Sequence, residues 1–209
     1  VAIGAPYNDG NGASSGHVRI YQNNSGTWTK IGSDIDGEAK VDNSGDSVSL
    51  SSDGSVVAIG APYNDGNVYA SGHVRIYQNV NGSWTKIGDD IYGEATGDWS
   101  GNSVSLSSDG SIVAIGADRN DDNGDNSGHV RIYQNVNGSW TKVGDDIDGE
   151  AAGDWSGNSV SLSSDGSVVA IGAPYNDGNG SNSGHVRIYQ NNGGTWTKIG
   201  DDIDGEAAG

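Results

Sequence analysis

Short runs of alternating apolar and polar residues follow one another along this chain, and the runs recur at a fixed spacing. The string VAIGA begins four times, always 56 residues after the previous start and without any insertion or deletion. Such a period indicates that a whole structural unit is copied, and repeat units bury their apolar faces against neighbouring copies. Residues 1–209 are therefore expected to form a single repeat domain. Its copies are 1–56, 57–112, 113–168 and an incomplete fourth, 169–209.

Each copy predicts four β-strands. The runs are rich in β-branched and aromatic residues, and none shows the 3.6-residue period of a helix. Tight-turn signals stand at Asp53-Gly54 and Asn81-Gly82, and longer loops join the other strands. For the second copy, taken with the segment before it, the predicted strands are Asp46–Ser51, Ser55–Ala61, His73–Asn79 and Ser83–Ile91.

The size of the repeat favours one all-β architecture. Four antiparallel strands in about 40 to 60 residues are typical of one blade of a β-propeller, in which each sheet packs face to face on the next. A β-solenoid is the alternative, but its coils usually repeat every 20 to 30 residues or so and lack tight hairpins. We therefore predict a β-propeller of four-stranded antiparallel blades, with about four blades in this chain.

The repeat resembles a known family. The segments Ser44–Pro62 and Ser71–Tyr77 are similar to the FG-GAP repeat of integrin α-subunit propellers and of many microbial surface proteins. Gly60-Ala61-Pro62 matches the "GAP" element, and Ser44-Gly45 stands where "FG" would be. The resemblance implies a propeller whose long-loop face carries a ligand. It also implies a calcium-binding first hairpin, but that hairpin keeps only Asp53 of the family's acidic pattern.

Antiparallel alternation places both long loops of every blade on one face, and binding residues are most often on loops. A tryptophan beside aspartate and asparagine is suited to a sugar, because the ring stacks on the pyranose while the polar groups bind its hydroxyls. The tryptophans of the fourth strands, in contrast, are interpreted as packing residues. The predicted ligand-binding residues are Tyr63, Asn64, Asp65, Asp98, Trp99, Asp154, Trp155, Tyr175, Asn176 and Asp177.

The densest acidic loop lies in the third copy. Asp118, Asn120 and Asp122 have the alternate spacing of a calcium loop, although Gly124 falls one place later than in an EF-hand. We expect no resident cofactor: a solvated turn is the preferred interpretation of these three residues, and a calcium ion bound by them is the alternative. The single histidine of each copy is interpreted as structural, because side chains on separate blades generally point apart.

The net charge of the chain limits the classes of partner that it is expected to bind. The chain has 28 Asp and Glu residues against 10 Lys and Arg, a formal charge of −18. Such a charge repels nucleic acid phosphates and anionic membranes, and no apolar run is long enough to span a bilayer. We therefore expect neither nucleic acid nor membrane insertion. Solubility is the preferred interpretation of the acidic surface over cation binding.

No catalytic motif is recognised, and four alike copies would imply four alike sites, which is unusual for an enzyme. The predicted function is therefore a non-catalytic extracellular or cell-surface propeller that serves adhesion or structure and whose partner is a protein or a glycan. A carbohydrate-binding propeller that uses the long-loop face is the alternative. Because the fourth copy lacks residues, the chain is interpreted as a fragment, a ring with one incomplete blade, or a subunit completed through strand addition by another chain.

Overall fold

The computed structural model describes residues 1–208 and consists of four antiparallel sheets, one per copy. The first sheet contains β1 (Ala2–Ala5), β2 (His17–Asn24), β3 (Thr27–Lys30) and β4 (Ile35–Asp36). The second contains β5 (Ser47–Leu50), β6 (Val56–Ala61), β7 (His73–Val80), β8 (Ser83–Lys86) and β9 (Ile91–Tyr92). The third contains β10 (Ser103–Leu106), β11 (Ile112–Ala117), β12 (His129–Val136), β13 (Ser139–Lys142) and β14 (Ile147–Asp148). The fourth contains β15 (Ser159–Leu162), β16 (Val168–Ala173), β17 (His185–Asn191), β18 (Trp196–Lys198) and β19 (Ile203–Asp204).

The strands of each sheet follow one another in chain order, except for the short last strand. That strand pairs with the start of the long strand of its sheet, which is β2, β7, β12 or β17. The predicted strand Ser83–Ile91 is therefore wrong in its extent, because it divides into β8 and β9. Gly88 lies between the two with φ of 69°, a left-handed conformation that turns the chain. β8 continues the hairpin with the far end of β7, whereas β9 pairs with His73 and Val74 at its beginning.

Apolar cores lie between neighbouring sheets. The core between the first and second sheets includes Val18 and Ile59, and that between the second and third includes Ile76 and Ile115. A third core joins the third and fourth sheets. Face-to-face sheets that share cores are the arrangement of propeller blades, so the predicted all-β fold with four blades is confirmed.

The innermost strands β5, β10 and β15 lie side by side, and they define the inner edge of the array. Neighbouring backbones come close together there, since a Cβ on Gly60 would overlap the carbonyl oxygen of Gly101. The Ser47 hydroxyl also donates a hydrogen bond to Gly101 O at 2.7 Å. The glycine of the "GAP" element is therefore required by the contact between blades.

Polar contacts between blades repeat with the same offset along the chain. Arg75 Nη2 donates to Asp36 O of the preceding blade at 2.9 Å, and Trp84 Nε1 donates to Ile31 O at 2.9 Å. Equivalent bonds join Arg131 to Tyr92 O at 2.8 Å and Trp140 to Ile87 O at 3.0 Å. Each blade is thus attached to the previous one by an arginine and an indole.

In the second, third and fourth sheets, an aspartate stabilises the turn of the first hairpin by accepting hydrogen bonds from neighbouring residues. Asp53 Oδ1 accepts hydrogen bonds from the Ser51 hydroxyl at 2.8 Å and from the Ser55 amide at 2.9 Å. The bond from the Ser55 amide, with those from the two hydroxyls, lowers the pKa of Asp53 below its usual value. The carboxylate that remains of the family's calcium pattern is therefore engaged in the turn. Residues 1–208 contain no helix that could cross a membrane.

Candidate functional site

Five side chains from the long loops form a continuous row of contacts, in which the two aromatic pairs are tilted and edge-on rather than parallel. Tyr63 and Trp99 have ring centroids 4.8 Å apart, and those of Trp155 and Tyr175 are 4.4 Å apart. The Arg119 guanidinium lies between the two pairs, with its Cζ 4.6 Å from the Trp99 centroid and 3.4 Å from that of Trp155. The row therefore has the order Tyr, Trp, Arg, Trp, Tyr, and cation–π attraction holds its centre.

The two tryptophans are held in an unusual backbone conformation. Trp99 and Trp155 both have φ of 55°, in the left-handed region that bulky residues rarely adopt. The surrounding loop supports this conformation, because Asp98 Oδ2 accepts hydrogen bonds from Glu94 N at 3.1 Å and Ala95 N at 2.7 Å. Strained backbone of this kind is concentrated at functional sites.

The centre of the row exists because the third copy departs from the repeat. Asp118-Arg119 stands where the second and fourth copies have Pro62-Tyr63 and Pro174-Tyr175. A tyrosine at position 119 would continue an aromatic row, whereas the arginine adds a positive charge. A proline side chain at position 118 would offer no hydrogen-bond acceptor, whereas the aspartate side chain adds a buried carboxylate. The site is therefore unique among four otherwise similar copies.

Within the described part of the chain, only one of the two carboxylate oxygens of Asp118 accepts hydrogen bonds. Its side chain is buried, with 2% of the residue exposed, and its Oδ2 accepts bonds from Asn158 Nδ2 at 2.8 Å and Asn102 Nδ2 at 3.2 Å. Its Oδ1 is also buried and accepts no hydrogen bond within residues 1–208. Buried polar atoms are normally paired, so this unpartnered carboxylate oxygen is the polar group of the site that is free to accept a hydrogen bond.

The pKa of Asp118 is raised above the ordinary aspartate value. Burial is the main cause, and the nearby Asp46 charge adds to it. The hydrogen bond from Asn158 and the charge of Arg119 act in the opposite direction. A carboxyl group with a raised pKa is a candidate general base or acid, because its basicity is closer to that required at neutral pH.

The other predicted ligand-binding residues hold the loops together. Asn64 Nδ2 donates to Asp42 Oδ2 at 3.0 Å, and Asn176 Nδ2 donates to Asp154 Oδ2 at 2.8 Å. Asp65 and Asp177 accept bonds from backbone amides of their own loops, at 2.7 Å in each case. The structure brings Tyr63, Trp99, Trp155 and Tyr175 together around Arg119, and it places the predicted polar residues in the framework that supports them.

The predicted calcium ligands of the third copy diverge. Asp118 faces Asn102 and Asn158, while Asn120 Nδ2 donates to Asp98 Oδ1 at 3.3 Å. Asp122 instead lies near His129, with 3.8 Å between its Oδ2 and the imidazole Nδ1. Calcium at these three residues stays a prediction, but their side chains are directed to three different neighbours.

Comparison with known proteins agrees with this architecture. Stacked antiparallel blades define a β-propeller type of repeat protein. Residues 93–133 and 147–189 match the model of the FG-GAP repeat. The predicted resemblance to the FG-GAP repeat is therefore confirmed for these two segments. A search of curated protein sequences found no match.

Several solved structures share the fold. A putative 6-phosphogluconolactonase from Bacteroides uniformis has a TM-score of 0.62 at 13% identity, over 91% of this chain and 48% of its own. One from Bacteroides fragilis has a TM-score of 0.60 at 16% identity, over 91% and 49%. The periplasmic gluconolactonase of Pseudomonas aeruginosa has a TM-score of 0.58 at 16% identity, over 97% and 53%. This chain thus spans about half the length of these proteins, and the likeness shows the fold alone.

The expectation of a non-catalytic adhesion or structural propeller, and with it the expectation that the protein is not an enzyme, is wrong. Three of the solved structures that share this fold are titled as lactonases, and they contradict that expectation. The expectation rested on four alike copies that would carry four alike sites. The third copy differs from the others, since it alone carries Asp118 and Arg119. The carbohydrate-binding alternative stays a prediction, and Arg119 and a tyrosine lie against the rings of the two loop tryptophans.

Sequence reasoning missed Arg119, Asn102 and Asn158. One signal was available, since aligning the copies shows that positions 118 and 119 break an otherwise regular pattern. The asparagines gave no such signal, because they stand in ordinary turn sequences directly before β10 and β15. Their convergence on Asp118 depends on how adjacent blades pack, which one copy does not reveal.

Proposed function

We propose that this chain carries the catalytic site of a hydrolase that opens the cyclic ester of a sugar acid. The observation that carries the proposal is Asp118, a buried carboxyl group with a raised pKa, one oxygen held by two amides and the other unpartnered. The lactonase titles of proteins with this fold supply the class of substrate.

In this proposal Asp118 acts as the general base. Its Oδ1 takes a proton from water as the water oxygen forms a bond to the lactone carbonyl carbon. The ring C–O bond then breaks, and the proton passes from Asp118 to the departing alkoxide. The product is an open-chain hydroxy acid. Asn102 and Asn158 keep Oδ2 fixed, so that the same oxygen, Oδ1, faces the water in every cycle.

Arg119 supplies positive charge beside the base. Negative charge develops on the carbonyl oxygen when water attacks, and an adjacent preorganised cation stabilises that charge. Trp99 and Trp155 restrict the guanidinium on both sides. The arginine therefore needs little reorganisation during the reaction, and it also suits a substrate that carries an anionic group.

Hydrolysis of D-glucono-δ-lactone, followed as acid release at pH 7 in a pH-stat, tests the proposal. The wild-type chain should exceed the spontaneous rate, and Asp118→Asn should lower the catalysed rate by about 100-fold or more. Asp165→Asn is a suitable control, because Asp165 is an exposed residue in the first hairpin of the fourth sheet, between β15 and β16. This control should hydrolyse the lactone at the wild-type rate.

A second variant separates loss of chemistry from loss of folding. Asp118→Pro combined with Arg119→Tyr gives the third copy the dipeptide of its three sister copies, so the fold should remain while hydrolysis disappears. Thermal unfolding monitors the fold in each variant. A wild-type chain that melts cooperatively but hydrolyses no lactone above the spontaneous rate refutes the proposal, as does full activity in the double variant.

A further inference from the structure

One histidine in each copy faces carboxylates, and in the second, third and fourth blades this histidine lies at the contact with the preceding blade. His73 lies with Glu38 of the preceding blade and Asp90 of its own, and His185 lies in the same way with Glu150 and Asp202. The cluster at the contact between the second and third blades is larger. There His129 is accompanied by Glu94, Asp122 and Asp146, and one ligand atom from each of the four residues lies within 4.8 Å of all the others.

We infer that His129, Asp122, Asp146 and Glu94 form a binding site for a divalent transition-metal ion of the zinc type. The mixture of one imidazole nitrogen with carboxylate oxygens suits zinc better than calcium, which prefers oxygen ligands alone. This site is separate from Asp118 and does not depend on the proposed hydrolysis.

The histidine itself is the first reason for the assignment. His129 has 0% exposure, and neither of its ring nitrogens has a hydrogen-bond partner within residues 1–208. Its Nδ1 lies 3.8 Å from Asp122 Oδ2, too far for a hydrogen bond. Buried polar atoms are normally paired, so an imidazole directed at carboxylates without bonding to them fits a missing ligand between them.

The protonation state agrees with metal binding. Burial, with a smaller contribution from the positive charge of Arg131, lowers the pKa of His129 to about 4. The imidazole is therefore neutral at neutral pH, and a neutral nitrogen is the form that binds a metal. The nearby carboxylates do not raise the pKa enough to offset burial.

Charge distinguishes this cluster from its sisters. In the second blade, Glu38 and Asp90 are matched by two cations, Arg75 at 3.4 Å from Glu38 and Lys86 at 2.6 Å from Asp90. At the third blade, Arg131 lies 3.2 Å from Glu94 and Lys142 lies 2.6 Å from Asp146. Asp122 is then a third carboxylate that no lysine or arginine balances, and it gives this cluster alone a net negative charge.

The sequence provides a matched substitution at that residue. Asp122 occupies the position of Gly10, Gly66 and Gly178 in the other copies. Its side chain is 58% exposed, so changing it removes a ligand without opening a core. Asp122→Gly therefore gives the third copy the sister sequence, and the variant should fold as the other copies do.

Geometry requires only a small adjustment of exposed side chains. Metal–ligand bonds of about 2 Å place the corners of a tetrahedron about 3.4 Å apart. Asp122 and Glu94, whose side chains are 58% and 44% exposed, can rotate inward while His129 stays in place. Because Glu94 comes from the second blade and the other three ligands from the third, a bound ion would join the two blades.

Isothermal titration of the metal-free, tag-free chain with zinc chloride tests the inference. The wild-type chain should bind one zinc ion and show a higher melting temperature when loaded. Asp122→Gly and His129→Gln should each weaken zinc binding at least tenfold, and His73→Gln should leave it unchanged. Calcium chloride added at equal concentration should not displace the zinc.

Three outcomes overturn the inference. One is the absence of zinc binding to a folded wild-type chain. Another is undiminished binding in Asp122→Gly, which remains decisive even if His129→Gln fails to fold. The third is a stoichiometry that falls by one ion in His73→Gln, because the sister clusters would then bind zinc as well as the cluster of the third blade.

Discussion

Trp140 shows how a single residue attaches one blade to the next. Its indole Nε1 donates a hydrogen bond to Ile87 O of the preceding blade at 3.0 Å, and its ring packs against the core between the second and third sheets. The repeated tryptophan of the fourth strand was interpreted from the sequence as a packing residue. Its hydrogen bond could not be foreseen, because the acceptor lies 53 residues earlier in the chain.

Replacing Trp140 with Phe should lower the free energy of unfolding by about 1 kcal/mol from the lost hydrogen bond, with a further loss from the smaller ring. Trp28 is the matched control, since it occupies the same position in the first copy but is 56% exposed and donates no hydrogen bond within residues 1–208. Urea unfolding of the two variants measures the difference. Equal effects of Trp140→Phe and Trp28→Phe would contradict the role of the indole.

His73 links the stability of the fold to pH. Burial, and then the charge of Arg75, lowers the pKa of His73 to about 4, whereas an unfolded histidine titrates near 6.5. The unfolded state therefore binds the proton first as the pH falls. The contribution of the neutral, buried His73 to the free energy of unfolding is fully present above about pH 6.5 and is lost progressively toward pH 4.

The free energy of unfolding should thus decrease between pH 6.5 and pH 4, and His73→Gln should reduce the slope over that interval. Chemical denaturation at half-unit steps of pH gives the slope directly. A glutamine variant that is less stable at every pH still tests the prediction, because only the slope of the free energy of unfolding against pH is compared. An unchanged slope would mean that His73 titrates alike in the folded and unfolded states.

At the scale of elements, most strands could be predicted from alternation and turn residues. The predicted Ser55–Ala61 is found as Val56–Ala61, and His73–Asn79 is found as His73–Val80. The pattern was insufficient at Ser83–Ile91, where a left-handed Gly88 divides the run into β8 and β9. Periodicity reports which side chains are buried, but it does not report where the backbone turns between two buried residues.

Burial between sheets can be tested at one repeated isoleucine. Ile115 in β11 has 0% exposure and lies in the core between the second and third blades, whereas the equivalent Ile3 in β1 is 51% exposed. Ile115→Ala should cost about 2 to 5 kcal/mol, because it leaves a cavity, and Ile3→Ala should cost far less. Thermal unfolding compares them. A similar cost at both positions would show that contact between sheets does not stabilise the fold.

At the scale of the whole molecule, the repeat predicts the architecture, and departures from it carry the candidate chemistry. The apolar cores between blades follow from residues that every copy shares, so one copy was enough to predict them, whereas the hydrogen bonds between blades were not predicted. The Asp118 site and the His129 cluster each join side chains from neighbouring blades, and both need residues that only the third copy has. Strand addition by another chain stays a prediction.

Both special sites depend on one stretch of five residues, Asp118–Asp122. Near-identical repeats are prone to genetic exchange, and an exchange that overwrote this stretch with Pro-Tyr-Asn-Asp-Gly from a sister copy would leave every blade in place. The altered protein would keep its sheets and cores, yet it would have lost residues of both proposed sites at once. Selection on stability alone cannot maintain such a segment, so its persistence in a lineage would record selection for what the segment does.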